Sequence, residues 1–332
     1  MFMFTVAQNV IQFYEKKRIL VTGAGGYIGT RLIDCLSEVN CNLARFSRKM
    51  LSPKINSSAL IEDVRGDLAA FDDWEKIIRD VDVIFHLAAQ TGVQQADDHP
   101  VQDAEINVIG TLKLLEAAKK YPKKIIIAAS SATSAGLQEK LPIDENAIDV
   151  PTSLYDLHKI MTEQYIHLFR KKNWVQGTCL RLSNVYGPGV KSSDHSRGVL
   201  NQIVRTVLQK KDIYVVNGGN FLRDYIYIDD VVQAFLLSAM CAWKLEKPYY
   251  FIGTGVGTTV RAAFQTVIDV VKSETNISVN LLNKEMRNAS PIDQRNFVAN
   301  SSAFSALTTW KPSVNLTEGI RRLIQSESAC CV

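Results

Sequence analysis

The segment ILVTGAGGYIGTRLIDCL, residues 19–36, turns from an apolar β-branched run through glycines at 23, 26 and 29 into apolar residues at helical spacing. It predicts a strand that ends on a tight turn and restarts as a helix. A helix N-terminus offers unpaired N–H groups and partial positive charge, and glycine lets an anion come close to both. The chain is therefore held to a strand–turn–helix unit suited to a phosphate. GTGVGTTV, from Gly253, also follows an apolar run, but no glycine falls inside the helix after it, and Thr258 or Thr259 reads as that helix's cap.

Alternation continues through the first half. KRILVTG, NLARFS, DVIFHLAA, KKIIIAASS and GTCLRLSNVYG read as strands, while YIGTRLIDCLSEV, DDWEKIIRDV and the stretches around 104–120 and 155–171 read as helices. Near-continuous apolar strands alternating with helices predict an α/β fold, a doubly wound parallel sheet covered on both faces. After about residue 187 the pattern loosens: GPGVKSSDHSRG reads as loop, with helices near 198–210, 230–243 and 259–273. We expect a leader over 1–16, the doubly wound domain over 17–186, a smaller lobe mostly within 187–325 and interleaved with the first domain, and a tail over 326–332. The lobe would cap the C-terminal edge of the sheet, where ligands of such folds sit.

Composition excludes several classes. The 332 residues are 46% hydrophobic and 22% charged, and no apolar run reaches the roughly 20 residues that span a bilayer. The opening MFMFTVAQNVIQFYEKKR has neither a basic n-region nor a continuous apolar h-region, so it reads as a short amphipathic leader. A net charge of +4, spread along the chain, suits a small anion better than a nucleic-acid groove. Cysteines at 35, 41, 179, 241, 330 and 331 form no C-x-x-C pair and have no histidine at metal spacing, which points to reduced thiols and a cytoplasmic setting, with no metal. The Cys330-Cys331 tail lacks a C-a-a-X ending.

The second strand of such a unit ends near an adenosine ribose, where an acid favours NAD and a cation accommodates the 2′-phosphate of NADP. Here Ser47 stands in the acid's place with Arg48 and Lys49 behind it, so we expect NAD(P), with NADP favoured over NAD. Asp67, in RGDLAAFDD shortly after the third apolar run, is placed to meet the adenine amino group, with a helix N-cap role for a nearby Asp as the alternative. The expected cofactor set from these residues is Gly23, Gly26, Tyr27, Ile28, Ser47, Arg48 and Asp67.

Chemistry enters with YDLHK. Tyr155 and Lys159 lie four apart, on one face of a helix, and a cation beside a phenol stabilises the phenolate, which makes Tyr155 the candidate base. His158 is turned away by its spacing. Ser130 and Ser131 end the buried strand IIIAASS and can hold a substrate hydroxyl beside the phenol. Asp229 and Asp230 read as the N-cap of the helix VVQAFLLSA and not as metal ligands.

With VTGAGGYIG, FHLAA, INVIGTLKLLEAA, SSAT, YDLHK, LRLSNVYGPG, RDYIYIDDV and Trp310-x-Pro312 in place, the chain resembles the extended short-chain dehydrogenase/reductases, in particular the nucleotide-sugar epimerases and dehydratases, from about Lys17 to Ile320. The resemblance implies a Rossmann domain in which Ser131 and Tyr155 activate a sugar 4-hydroxyl, Lys159 holds the nicotinamide ribose and Asn107 supports the site. To the expected cofactor set the resemblance adds Leu68, Leu87, Ala88, Ala89, Asn107, Tyr155 and Lys159. It implies further that Asn184 and Arg223 hold the nucleotide diphosphate, with Arg295 or Arg287 as a second cation. The family's dimers pair the two long helices, here 104–120 and 155–171, so a homodimer is expected. Sugar 4,6-dehydratases of the common type place an acid pair straight after the active-site hydroxyl, and Ala132 and Thr133 occupy those places here. What remains is a nucleotide-sugar 4-epimerase that borrows and returns a hydride, or an NADPH-dependent reductase of nucleotide 4-keto sugars. A dinucleotide-binding regulator without turnover would be marked by loss of Ser131, Tyr155 or Lys159, and all three are present.

Overall fold

The computed structural model describes residues 7–190, 198–286 and 295–329; residues 191–197 of the segment read as loop, Arg287, and Cys330 and Cys331 of the tail lie outside them. In chain order, α1 (Gln8–Tyr14) leads to β1 (Arg18–Thr22), α2 (Tyr27–Leu36), β2 (Asn42–Ser47), β3 (Leu60–Arg65), α3 (Trp74–Ile78) and β4 (Val83–His86). Next come α4 (Val93–Asp98), α5 (Pro100–Ala104), a π-helical turn (Glu105–Ile109), α6 (Gly110–Lys119), β5 (Ile125–Ser131), α7 (Leu154–Lys171) and β6 (Gln176–Leu182). The remainder is β7 (Asn184–Tyr186), α8 (Val199–Leu208), β8 (Ile213–Val216), β9 (Leu222–Tyr227), α9 (Ile228–Met240) and β10 (Tyr249–Ile252), then β11 (Gly257–Thr259), α10 (Val260–Thr275), β12 (Leu281–Lys284), α11 (Ser302–Thr308) and α12 (Leu316–Ala329).

Among the described residues, seven strands pair in the order β10-β6-β5-β4-β1-β2-β3, all parallel. Alternate residues serve opposite faces: Val21, Phe85, Ile127, Leu180 and Ile252 pack with α2 and α9, while Leu20, Ile84, Ile126, Cys179 and Phe251 pack beneath α6 and α7. Four of the five β1 residues and all of β4 and β6 are buried, which is why these strands read as apolar runs. By contrast, β3, LIEDVR, is a largely exposed edge, so its polar residues hid it from the apolar pattern; charge there suits an unpaired edge. At the opposite edge, Glu145 accepts from the Phe251 N–H at 2.9 Å.

The order reverses between β1 and β4, which opens a crevice at their C-terminal ends. Gly23 makes the turn there at φ +68°, and a Cβ on it would lie 2.7 Å from the Ala88 nitrogen. A Cβ on Gly29 would lie 2.3 Å from the Gly23 carbonyl oxygen, so α2 packs directly on the turn. Only glycine fits at either place.

Three readings need correction or sharpening. GTCLRLSNVYG is not one strand: it breaks at Ser183, with β6 in the large sheet and β7 in a smaller one ordered β11-β9-β7. Asp229 and Asp230 do not cap α9; they sit inside its first turn, after the N-cap residue Tyr227. Their carboxylates are directed to tertiary partners instead. Asp229 pairs with Arg31 of α2 at 2.6 Å, and Asp230 accepts from Ser313 Oγ at 2.7 Å and from the Ser313 and Val314 N–H groups at 2.9 and 3.2 Å. Helix α1, within the segment read as an amphipathic leader, is anchored in the core: Val10 and Tyr14 are buried, and the Tyr14 phenol donates to the Leu236 carbonyl at 2.6 Å. Thr259, one of the two expected caps, accepts from the Ala262 N–H.

The second lobe joins β7, β9 and β11 to a β8–β12 pair under α8, α10 and α12, with its own core around Val204, Val215, Phe264, Val267 and Leu323. β10 also comes from this half of the sequence, yet it completes the large sheet beside β6. Among the described residues no helix is long and apolar enough to cross a membrane, and no three His, Cys, Asp or Glu side chains group to hold a metal.

Candidate active site

At the crevice, α2 starts from Gly26 with no side-chain cap and no acid in its first turn, so its leading N–H groups are available to an anion. The walls are rigid. Thr22 Oγ1 accepts from the Leu87 and Ala88 N–H groups, both at 3.1 Å, and touches His86 Nδ1 at 2.9 Å. His86 Nε2 lies 3.0 Å from Thr111 Oγ1, whose own proton goes to the Asn107 carbonyl at 2.7 Å. That fixes the tautomer: Nε2 carries the hydrogen, and Nδ1 accepts from Thr22. Burial, with a smaller push from the Lys159 charge, lowers the His86 pKa to about 3, so the ring stays neutral.

Several expected cofactor contacts have side chains committed elsewhere. The Tyr27 phenol donates to the Gly187 carbonyl at 2.7 Å, tying the glycine turn to the lobe. Ile28 packs in the core, and Leu68 is buried where a Cβ on Gly110 would lie 2.6 Å from its Cγ. Their backbones are what a cofactor would meet. Leu87, Ala88 and Ala89 are half-buried at the crevice wall. Ser47 ends β2 and donates to the Lys49 carbonyl, while Arg48 and Lys49 are exposed. Asp67 accepts from the Ala69 N–H at 3.0 Å, so one of its carboxylate oxygens is used locally.

On the other side of β4, β5 brings Ser131 to the same sheet edge, and α7 packs over β5 and β6. Ser153 caps α7 by accepting from the Asp156 N–H, which sets the helix so that Tyr155 and Lys159 are both buried against the sheet. Lys159 Nζ lies 5.8 Å from the Tyr155 ring centre and donates to the Ala129 carbonyl at 3.3 Å. Ser131 Oγ is 2.7 Å from Thr133 Oγ1, which in turn donates to Asp156, and Asp156 accepts from Ser153 Oγ at 2.9 Å. His158 is directed away, with Nδ1 2.6 Å from Asp103.

Beneath the serines lies a buried charge network. Ser130 donates to Glu163 at 2.5 Å; Glu163 takes Arg181 Nε and Nη2 at 2.8 and 2.6 Å, and Asp149 takes Nη1 and Nη2 at 2.5 and 2.7 Å. The Arg181 guanidinium carbon sits 3.4 Å from the Tyr249 ring centre. Burial works against its charge, but the Asp149 hydrogen bond and the Glu163 charge outweigh it and hold the group ionised.

Asn107 sits in the π-helical turn, and its amide clasps Gln90 on both sides, accepting from the N–H at 3.0 Å and donating to the carbonyl at 3.1 Å. In the lobe, Asn184 is exposed at the start of β7, in register with Tyr225 of β9. Arg223 lies on β9 and donates to the Arg295 carbonyl, so Asn184, Arg223 and Arg295 belong to one side of the molecule. Sequence reasoning missed Asp156, Glu163 and Gln90. Only Gln90 had a local signal, directly after the Leu-Ala-Ala wall.

An uncapped glycine turn at the switch point, with a serine and a Tyr-Lys pair across the crevice, points to a class: dinucleotide-dependent enzymes of the doubly wound α/β fold. The model of the NAD dependent epimerase/dehydratase family matches residues 19–253, and the chain belongs to that family. A Methanocaldococcus jannaschii protein, provisionally assigned as UDP-glucose 4-epimerase, is 34% identical over 92% of this chain and 97% of its own length. The UDP-glucose 4-epimerase of Mycolicibacterium smegmatis is 28% identical over 93% and 97%. The structure of Thermotoga maritima UDP-glucose 4-epimerase with UDP-glucose is similar at a TM-score of 0.82 and 30% identity, covering 95% of this chain and all of that one. That of the Thermus thermophilus enzyme with NAD is similar at 0.77 and 26%, covering 93% and 98%.

Proposed function

We propose that this enzyme is a nucleotide-sugar 4-epimerase. The observation that carries the reading is the convergence of Ser131, Tyr155 and Lys159, with Ala132 and Thr133 where a dehydratase would place its acids. Relatives that match nearly their whole length are named for this reaction on UDP-sugars.

The uncapped start of α2 and the glycine turn fit a dinucleotide diphosphate, with Ser47 and Arg48 at the adenosine end and Lys159 and Asn107 on the nicotinamide side. When bound, the dinucleotide supplies a hydride acceptor at C4. Tyr155 takes the 4-hydroxyl proton and gives it back, Ser131 orients that hydroxyl, and the Lys159 charge favours the phenolate. Asn184, Arg223 and Arg295 hold the nucleotide diphosphate, which lets the sugar turn while the anchor stays fixed. Ser47 in place of an acid supports NADP, whereas the family model's description and the Thermus complex speak for NAD.

Exposed apolar residues on the two long helices, Ile109 on the first and Leu157 and Leu168 on the second, with Val101 on α5 just before the first, support a homodimer formed through this face.

The test is incubation of purified enzyme with UDP-, CDP-, dTDP- and GDP-sugars without added cofactor, following C4 by NMR. A 4-epimer formed over many turnovers with a C4 deuterium label retained is the expected result. A requirement for a 4-keto sugar and stoichiometric NADPH would replace the reading with a reductase.

A further inference from the structure

Gln90 follows the crevice wall Leu87–Ala89 and lies between the glycine turn on β1 and Ser131 on β5. Register places it there: His86 is opposite Thr22 on one side and Ala128 on the other, so Gln90 and Ser131 extend beyond the same level of adjacent strands. The residue is more than nine-tenths buried. Its backbone is clamped on both sides by Asn107, which donates in addition to both Asp103 carboxylate oxygens at 3.1 Å.

The amide is also fixed in sense. Gln90 Nε2 donates to the Gly92 carbonyl at 2.9 Å, and exchanging the amide's ends would set two acceptors against each other. The other end, Oε1, is buried and has no hydrogen-bond partner among the described residues. A neutral acceptor held in that position suits a hydroxyl donor and repels a phosphate or carboxylate oxygen.

We propose that Gln90 Oε1 accepts a hydrogen bond from a ring hydroxyl of the reacting sugar and is a specificity-determining residue of the site. The inference rests on the nucleotide-sugar reading. A sugar lacking that hydroxyl leaves the acceptor buried and unpaired, which corresponds to about a 5- to 150-fold loss of affinity.

The test measures binding by calorimetry, without turnover. Wild-type enzyme, loaded with its dinucleotide, is titrated with the tightest-binding sugar nucleotide of the panel, its 2-, 3- and 6-deoxy analogues, and the free nucleoside diphosphate. Gln90→Met, which keeps length and removes the acceptor, is titrated alongside, as is the dinucleotide itself. One deoxy analogue should bind wild type about 5- to 150-fold more weakly than its parent, Gln90→Met should bind the two equally, and nucleoside diphosphate and dinucleotide should bind both proteins alike. Loss of dinucleotide affinity in Gln90→Met with sugar affinity unchanged would assign the acceptor to the cofactor ribose and overturn the proposal. So would a wild-type panel in which no single deoxy analogue is weakened, a result that does not depend on the variant folding. Sugar binding through Gln90 without 4-epimerisation would instead refute the proposed reaction and leave this contact standing.

Discussion

Arg181 is fully buried, and its charge is balanced by Glu163, also fully buried, and Asp149. Replacing Glu163 with Leu removes two of the four carboxylate contacts to the guanidinium and the acceptor of Ser130. Breaking a buried pair from one side costs about 3–5 kcal/mol. Asp149 remains bidentate on Arg181, which puts the charge term near ~3 kcal/mol, and the orphaned Ser130 hydroxyl adds about 1 kcal/mol, giving roughly 4 kcal/mol in all. Arg181→Met strands the Glu163 carboxylate instead and should cost about the same. If uncompensated charge is the cause, removing both groups relieves it. The Glu163→Leu/Arg181→Met double variant should therefore lose at least ~3 kcal/mol less than the sum of the two single losses. Urea unfolding followed by tryptophan fluorescence gives all four corners of the cycle. Additive losses would refute the reasoning and make the network a set of independent packing contacts.

Tyr155→Phe keeps the ring and should bind substrate normally while kcat falls by about two to four orders of magnitude; retained turnover would remove Tyr155 as the base. Ser47→Asp should shift the NADP/NAD affinity ratio toward NAD by about 1–3 kcal/mol, read by titrating both dinucleotides, and unchanged ratios would discard the NADP argument. His86 is neutral in the fold with its pKa lowered from 6.5 to about 3, so the unfolded chain binds the extra proton first as pH falls. Its contribution is intact above pH 6.5 and drains by up to about 1.4 kcal/mol per pH unit between 6.5 and 3. His86→Asn should flatten that part of the stability–pH curve, measured by denaturation at stepped pH.

What was legible in the sequence was local. The glycine turn announces itself because β1, the turn and α2 are contiguous, and Tyr155 and Lys159 announce themselves because helical spacing alone puts them on one face. The edge strand β3 escaped because its exposed residues need not be apolar. Glu163 and Arg181 lie 18 positions apart, on a helix and a strand, and only the packing of α7 on β6 joins them. Asp156 was overlooked beside Tyr155 because its partner Thr133 is 23 positions away. Asp229 and Asp230 carried a true signal for a helix start, but where a carboxylate in a first turn points is decided by neighbours, here Arg31 and the 313–314 backbone.

The edge strand β10 comes into existence only when residues 249–252 are made, after more than 60 residues following β6 have emerged from the ribosome. Until then β6, buried along its whole length in the finished protein, presents a bare apolar edge to the cell. The nascent cofactor-binding half must therefore wait, in a state open to pairing with other chains, while the segment destined for the lobe is synthesised. A gene cut at residue 186 would make that interval permanent. The same delay gives a chaperone a defined window in which to bind.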